Sequence, residues 1–196
     1  AGAIVLNNQH TTLTLRRQRV QVVGLDDAYT GHANVDRAVH GLRHDLPVLG
    51  LSHIAEEADR IWSYGVPLVL SGHTHAGQVT FARLHELTIG RLAGHRYVHG
   101  LYGSRRTSAA RGAVYVGAGV GASIVPLRLG ERARREITFF ELGIEPGTFE
   151  EHHAEQDALT GREPTALKRA QRALAVIRKH DQRLRKQAIR VGDGPC

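Results

Sequence analysis

The chain has 196 residues, of which 41% are hydrophobic and 5% are aromatic, and its formal net charge is +7. This length is sufficient for one domain with a hydrophobic core, or for one domain with an appendage. The only cysteine is Cys196, which excludes a disulfide scaffold and a thiolate metal site and leaves imidazole and carboxylate as ligand types. No run approaches the roughly 18–20 apolar residues of a membrane span. We therefore expect a chain that is soluble as given, cytoplasmic or membrane-peripheral, with any leader or anchor preceding residue 1.

The first part of the chain predicts a hairpin followed by helices. Residues 11–15 and 20–25 alternate apolar and polar side chains on either side of a basic turn, a pattern typical of a β-hairpin with one buried face. The apolar spacing over 34–42 is helical, with Asn34 as the N-cap. A second helix is predicted over 56–64.

Two short apolar runs, each typical of a buried strand, are followed by histidines. The run 47–52 precedes His53, and the run 68–70 precedes His73 and His75. Residues i and i+2 of an extended segment point to the same side, so the last two imidazoles are expected to leave the strand end together. They could then reach two metal ions about 3.5–4 Å apart, as in a binuclear hydrolytic centre, at the strand ends where α/β sheets place active sites. The plainer interpretation is a set of loop histidines, or a histidine that caps a neighbouring carbonyl.

The middle of the chain, residues 81–111, is irregular and rich in Gly, His and Arg. A segment of this length without clear periodicity is more often a functional loop than a structural one. Residues 114–116 predict a strand, 117–121 a glycine loop, 126–129 an extended segment and 136–142 the last strand of the core.

The composition changes at Gly143, which divides the chain into three parts. Residues 1–142 are expected to form the folded domain, 143–163 a polar linker, and 164–196 a basic amphipathic helix and tail. In the predicted helix nine lysines and arginines surround a narrow apolar stripe, against the single acid Asp181. The helix either packs on the domain or on a partner, or binds an acidic surface such as nucleic acid or anionic lipid.

Several polar residues in the predicted loops have two interpretations. Asp26 and Asp27 are either extra metal carboxylates or turn residues, because Asp readily hydrogen-bonds the nearby backbone. His95 and His99 either line a substrate pocket or belong to the loop alone. The glycine loop 117–121 could bring backbone amides close to a phosphate, or it could form tight turns between strands. The sequence leaves these alternatives open.

Two linked motifs carry a resemblance to a known family. Leu51-Ser-His53 is followed about twenty residues later by Ser71-Gly-His-Thr-His-Ala-Gly-Gln78, and together they resemble the second half of a calcineurin-like metallophosphoesterase, in the bacterial branch with the signature G-H-T-H-G-G-Q. Val23-Gly-Leu-Asp-Asp27 resembles the G-x-D-D segment of that branch. The segments that match its closing strands in order are 97–102, 114–116, 126–129 and 136–142. The resemblance covers roughly residues 1 to 142.

The resemblance implies a fold, a metal centre and a reaction. The fold would be the C-terminal half of a four-layer α/β/β/α sandwich, which holds two divalent metal ions (Mn, Fe or Zn) at strand ends. His53 and His73 resemble the histidine ligands of the second metal, and His75 resembles a ligand of the first. The activity implied is hydrolysis of a phosphate-ester substrate, a phosphomonoester or a phosphodiester, by a metal-activated hydroxide.

Three departures from the family pattern limit this expectation. Ala76 replaces the usual glycine, a small change if φ at that position is below zero. Ile54-Ala55 stands where relatives tend to have Asn-Pro. The motifs D-x-H, G-D-x-x-D and G-N-H-D/E are absent; in the family they supply the metal carboxylates and the histidine that helps to protonate the leaving group. No catalytic residue can therefore be assigned in this chain.

The missing motifs indicate a chain that holds only part of an active site. We expect weak or no phosphatase activity from the chain alone, and at most weak binding of a single metal ion. An N-terminal half or a partner chain could complete the site. The competing hypothesis is a non-catalytic binding or assembly module, derived from a truncated phosphoesterase and using the basic C-terminal helix.

Overall fold

The structure, a computed structural model, describes most of the first 141 residues. The described residues are 2–78, 94–103, 112–121, 128–130 and 133–141, together with Leu174 and Arg178. Within them the chain forms six strands, which are β1 (Gln9–Leu15), β2 (Gln18–Gly24), β3 (Val48–Leu51), β4 (Leu68–Ser71), β5 (Gly100–Gly103) and β6 (Ala113–Val116). The same residues form the helices α1 (Val35–Val39) and α2 (Ala58–Trp62), and two 3-10 turns at Ala55–Glu57 and His75–Gly77.

The six strands form one mixed sheet in the order β1-β2-β3-β4-β6-β5. Strands β2, β3, β4 and β6 are parallel, whereas β1 and β5 form the antiparallel edges. The β1–β2 pair is the predicted hairpin, and the succession β2–α1–β3–α2–β4 confirms the predicted alternation of strands and helices. This topology brings the carboxyl ends of β3 and β4 side by side, where α/β sheets commonly bind ligands.

The hydrophobic core lies between the sheet and the helices. Val23, Val69 and Val114 form one buried row across the sheet, because the strand registers place Gly50 between the first two and pair the last two directly. Ile61 of α2 is completely buried in the same cluster. Burying one such side chain stabilises the fold by roughly 1.5–3 kcal/mol, so this row and the helix above it fix the two strands that precede the histidines.

The helices begin where the sequence predicts, but they are shorter than predicted. Asn34 caps α1, since its side-chain oxygen accepts a hydrogen bond from the backbone N–H of Arg37 at 2.9 Å. The α-helical part already ends at Val39. The second helical segment begins as a 3-10 turn and its α-helix ends at Trp62, ahead of Gly65, whose φ of +80° reverses the chain toward β4.

Asn8 ties the start of the chain to the loop between β2 and α1. Its side-chain oxygen accepts hydrogen bonds from the backbone N–H groups of Asp26 at 3.1 Å and Asn34 at 2.8 Å. Its amide nitrogen donates to the carbonyl of His32 at 2.8 Å. Asn8 is buried and has a φ of 53°, a conformation that Asn adopts more readily than most residues. One side chain thus fixes both ends of this loop.

The predicted last strand at 136–142 is not formed by its described residues, which join no β-ladder. The β-propensity of a segment stabilises a strand only when a neighbouring strand and a buried face are present. Here Ile137 and Phe139 are 74% and 92% exposed. The segment is held instead by Glu136, whose backbone N–H donates to the carbonyl of Gly119 at 3.1 Å. The prediction of a strand was therefore wrong for these residues.

The segment predicted to be irregular, 81–111, contains the edge strand β5, which pairs antiparallel with β6. A glycine at each end of this short strand hid it from the periodicity of the sequence. The loop at 117–121 is confirmed as a loop. In the extended segment predicted at 126–129, Leu129 donates its N–H to the carbonyl of Gln78 at 2.8 Å, and residues 126 and 127 lie outside the described residues.

The predicted linker at 143–163 and almost all of the predicted helix and tail at 164–196 lie outside the described residues. Leu174 and Arg178 are the exceptions, and both are helical and exposed. The basic helix and the three-part division of the chain stay predictions. In the part of the chain that the structure describes, no helix combines the length and the apolar composition needed to cross a membrane.

Candidate metal centre

Two of the predicted ligands lie in direct contact. His53 and His73 follow the adjacent parallel strands β3 and β4, and the N–H of Gly72 donates to the carbonyl of His53 at 3.4 Å. His53 Nε2 is 3.1 Å from His73 Nδ1, and the two rings meet edge to face with their centroids 4.9 Å apart. Strand pairing has therefore brought together two imidazoles that are twenty residues apart in the chain.

The expectation that His73 and His75 leave an extended strand side by side was wrong. Their φ angles are 74° and 50°, so neither is extended and the i, i+2 rule for strands does not apply. The chain turns sharply after β4, where the N–H of Thr74 donates to the carbonyl of Gly72 at 2.9 Å and that of Gly77 donates to Thr74 at 2.8 Å. This turn sends the second imidazole away from the first.

His75 faces the glycine loop that follows β6. Its Nδ1 lies 3.4 Å from the carbonyl oxygen of Ala118 and 3.2 Å from Nη2 of Arg128. The two hydrogens of that guanidinium nitrogen are directed at the carbonyls of Ala118, at 2.8 Å, and Gly121. The proton of His75 is therefore best placed on Nδ1, donating to Ala118, which leaves a lone pair on Nε2. A backbone carbonyl on one imidazole nitrogen is a common arrangement when the other nitrogen binds a metal.

Ala76 occupies a conformation that favours glycine. Its φ is 54° and its ψ is 23°, and it is fully buried. The condition under which the Gly-to-Ala departure would be small, a φ below zero, is therefore not met. A left-handed conformation costs an L-residue roughly 1–2 kcal/mol. The turn that separates His73 from His75 is consequently strained at this residue.

The environment of His73 favours its neutral form. Burial, together with the positive charges that His53 and His95 would carry beside it, lowers the pKa of His73 to about 4. At neutral pH the ring is thus uncharged and keeps a lone pair. Only the neutral imidazole can bind a metal ion.

The two Asp residues before α1 are turn residues, as the plainer interpretation held. The backbone N–H of Asp27 donates to Oδ1 of Asp26 at 2.7 Å, and the N–H of Tyr29 donates to Oδ1 of Asp27 at 2.9 Å. The turn directs Tyr29 to the histidine pair, with its ring centroid 4.7 Å from that of His73. No sequence motif marks this tyrosine as a neighbour of the histidines.

The two loop histidines have separate surroundings. His95 is buried beside His73, with ring centroids 5.4 Å apart, and its Nδ1 is 3.2 Å from Oε1 of Glu56. His99 lies at the start of β5 instead, where its Nε2 is 2.7 Å from Oε2 of Glu136. Only the first of them adjoins the candidate centre. Glu56 could have been singled out from the sequence, because it follows His53 by three residues.

Beside His53 an open cavity of about 430 Å³ lies at the ends of β2, β3 and β4. Half of its lining residues are aliphatic, namely Ile4, Leu6, Leu25, Leu51 and Leu70, and the others are Gly24, Ser52, His53, Ser71 and Gly72. A site of this shape can admit part of a ligand next to the histidine pair.

The donor set fits a divalent cation in part. Two imidazole nitrogens 3.1 Å apart have the separation of neighbouring ligands around one ion held at about 2.0–2.1 Å from each. Among the residues that the structure describes, however, no group of three or more His, Cys, Asp or Glu side chains converges on one point. The described residues therefore offer two nitrogen ligands, from His53 and His73, whereas the imidazole of His75 is directed elsewhere.

Known proteins resemble this chain over most of its length. It is 32% identical over 142 residues to the uncharacterized metallophosphoesterase YkuE of Bacillus subtilis, which covers 72% of this chain and 47% of the relative. It is 32% identical over 144 residues to the phosphodiesterase YaeI of Escherichia coli, covering 72% and 48% respectively. A transmembrane protein with metallophosphoesterase domain from Bos taurus is 34% identical over 134 residues, 64% of this chain and 28% of that protein. No family model matches the chain, and no solved structure matches it.

The chain belongs to the metallophosphoesterase family. It spans about half the length of the curated bacterial relatives YkuE and YaeI. The mixed α/β sheet with histidines at the ends of its parallel strands is compatible with a domain of this family, and the family resemblance seen in the sequence is confirmed.

Proposed function

We propose that this chain supplies the histidine side of a divalent-metal centre that hydrolyses phosphate esters. The observation that carries the proposal is the 3.1 Å contact between His53 Nε2 and His73 Nδ1 at the ends of two adjacent parallel strands. Family membership supports the reaction class. The finer architecture we propose is the C-terminal half of a four-layer sandwich, with two metal ions in the complete centre.

The residues have distinct tasks in this proposal. His53 and His73 hold one ion between them, and His75 offers its Nε2 to a second. Bound ions of this kind supply Lewis-acid charge for phosphoryl oxygens and lower the pKa of water to near neutrality. The cavity beside His53 receives the organic group that is esterified to the phosphate. The guanidinium of Arg128 donates to the carbonyl of Ala118 and so stabilises the loop that His75 contacts.

The substrate is proposed to be a phosphomonoester or a phosphodiester. The relative YaeI is named a phosphodiesterase, which supports the diester. Because the chain carries no matching carboxylate motifs, the centre it forms alone is incomplete, and an N-terminal half or a partner chain would contribute the remaining ligands. Imidazole ligands suit Zn and Fe, and carboxylate ligands would extend the choice to Mn.

Metal uptake by the 196-residue chain tests the proposal. After loading with Zn²⁺ and gel filtration, we expect up to one weakly held ion per chain, and its loss in His53→Ala and in His73→Ala. His44→Ala is the matched control, since this histidine is exposed in the loop before β3. His75→Ala is expected to leave this single ion in place. Uptake that is the same in wild type and in both pair variants would overturn the proposed centre.

Hydrolysis of bis-p-nitrophenyl phosphate tests the incompleteness of the centre. The chain alone, with Mn²⁺ or Zn²⁺, should turn over slowly if at all, and any residual rate should fall in His73→Ala. A rate typical of an intact enzyme contradicts a partial site. A chain that takes up no metal and has no activity would favour the non-catalytic binding or assembly module.

A further inference from the structure

The ring of the half-buried His73 packs against three other rings. Its centroid lies 4.7 Å from that of Tyr29, 4.9 Å from that of His53 and 5.4 Å from that of His95. Tyr29 comes from the loop between β2 and α1, and His95 from the segment before β5. Three remote parts of the chain therefore pack around one imidazole, and close packing limits the orientations that its ring can adopt.

Two of these rings are linked to a carboxylate by hydrogen bonds. Oε1 of Glu56 accepts from the backbone N–H of Arg96 at 2.9 Å and lies 3.2 Å from His95 Nδ1. The other nitrogen of that imidazole, Nε2, lies 3.0 Å from the hydroxyl of Tyr29. Burial alone would raise the pKa of Glu56, but the hydrogen bonds from His95 and from the backbone N–H groups hold it below its usual range.

The proton positions along this chain of contacts follow from the ionised carboxylate. An ionised Glu56 only accepts, so His95 carries its proton on Nδ1 and presents a lone pair at Nε2. The hydroxyl of Tyr29 then donates to that lone pair. The phenol ring is thereby fixed at both ends, by its hydroxyl and by the backbone turn at Asp27, and its plane is tilted by 42° from that of His73.

We propose that Glu56, His95 and Tyr29 are positioning residues that hold the ring of His73 in the orientation in which it binds a metal ion together with His53. The inference rests on the proposed function of the histidine pair. Glu56 follows His53 by three residues, in the 3-10 turn after β3. The hydrogen-bonded series therefore begins three residues after one member of the pair and ends at the tyrosine packed against the other, which couples their relative placement.

Removing single hydrogen-bonding groups from this series tests the proposal. Tyr29→Phe removes the hydroxyl and keeps the ring, and Glu56→Gln keeps the shape of the side chain and removes its charge. Each should weaken Co²⁺ binding by the full 196-residue chain about tenfold, the effect typical of groups that orient a metal ligand. The double variant should lose little more than either single one, because both act through the same hydrogen-bonded chain.

A matched control separates positioning from general destabilisation. Tyr97→Phe removes the hydroxyl of a buried tyrosine, which donates to Asp59 at 2.7 Å. It should lower the urea midpoint at least as much as Tyr29→Phe does, while leaving Co²⁺ affinity unchanged. Equal losses of affinity in Tyr97→Phe and Tyr29→Phe would overturn the proposal. So would full affinity in Tyr29→Phe with loss only on substitution of His95, since that outcome makes His95 a ligand.

A measurement on the metal-free chain distinguishes failure of this inference from failure of the proposed function. The Cε1–H proton resonance of His73, assigned by its loss in His73→Asn, should shift in Tyr29→Phe and in Glu56→Gln but not in Tyr97→Phe. A wild-type chain that binds no Co²⁺ would remove the metal centre while these shifts still report the contacts. An unmoved resonance in both variants shows that the three residues do not position His73.

Discussion

His53 and His73 touch through Nε2 and Nδ1 at 3.1 Å, and the contact is set by the pairing of β3 with β4. Leu51, the last residue of β3, is opposite Leu70 in the register of the two strands. The histidines follow within three residues of this pair, so the backbone leaves little freedom in where they emerge. Two rings at this distance cannot both be protonated without mutual repulsion, and at least one must stay neutral.

This contact predicts an acid-sensitive contribution to stability. The pKa of His73 falls from an ordinary 6.5 to about 4 on folding, so between these values the unfolded state binds more protons and stability declines as the pH falls. For a partly exposed group the total loss is about 1–2 kcal/mol. Urea denaturation of the metal-free chain at pH 7, 5.5 and 4 should show a smaller decline in His73→Asn than in wild type. His44→Asn is the control, and a decline as steep in His73→Asn as in wild type would contradict the prediction.

Asn8 is expected to be the most sensitive polar residue near the start of the chain. Replacing it by Ala removes three hydrogen bonds and leaves the N–H groups of Asp26 and Asn34 without their acceptor, which should cost about 2–4 kcal/mol. The neighbouring Asn7 is exposed, and Asn7→Ala should stay within about 0.5 kcal/mol of wild type. Equal midpoints for the two variants in urea would show that Asn8 does not organise the loop.

Glu136 predicts a second pH-dependent contribution, in more acidic solution. Burial opposes ionisation, but hydrogen bonds from Thr138, Tyr115, His99 and the N–H of Ala118 lower its pKa to about 2. The carboxylate therefore stabilises the folded state fully above its ordinary pKa of 4.5, and this contribution is lost as the pH falls from there toward 2.

Replacing that carboxylate by an amide isolates the effect. Glu136→Gln should be less stable than wild type at pH 6 by about 1–2 kcal/mol after solvent screening, and the difference should shrink between pH 4.5 and 2. Glu141→Gln, at an exposed residue of the same segment, provides the comparison. Thermal unfolding across this pH range measures the stability of both variants. A stability difference between Glu136→Gln and wild type that does not change with pH would rule out a stabilising ionised carboxylate at Glu136.

The strained turn after β4 makes an unusual comparison possible. In Ala76→Gly the relief of the left-handed conformation, roughly 1–2 kcal/mol, is offset by the greater entropy of the unfolded chain and the loss of a buried methyl group. The net change should lie within about 0.5 kcal/mol of zero. Ala58→Gly removes an equally buried methyl group from a residue with helical φ and ψ, and it should cost about 1–2 kcal/mol. Urea midpoints that fall equally in both would show that Ala76 is not strained.

The parts of the fold that could be predicted from the sequence are those with local signals. The hairpin, the N-cap at Asn34, and the strands that precede His53 and His73 were all predicted from apolar spacing and capping residues. The strand predicted at 136–142, which does not form in its described residues, shows the limit of such signals. Its β-branched and aromatic residues do not reveal whether a partner strand exists. Likewise, nothing in the spacing of two histidines reveals the positive φ angles that turn them apart.

The surroundings of the histidine pair depend on contacts that sequence spacing does not encode. Tyr29 and His95 are separated by 66 residues, and His95 and Glu56 by 39. Each has an ordinary local explanation, as a loop tyrosine, a loop histidine and a helix-start glutamate. Their juxtaposition becomes visible only when the order of the strands is known.

The placement of the histidine pair across a parallel strand pair also has a kinetic consequence. Strands β3 and β4 are joined through α2, so their pairing is non-local and must await closure of the intervening crossover. The contact between His53 and His73 should consequently form late in refolding, together with the sheet and after the β1–β2 hairpin. The contact therefore reports when the parallel sheet assembles. The native Cε1–H resonance of His73 should appear at that step of refolding.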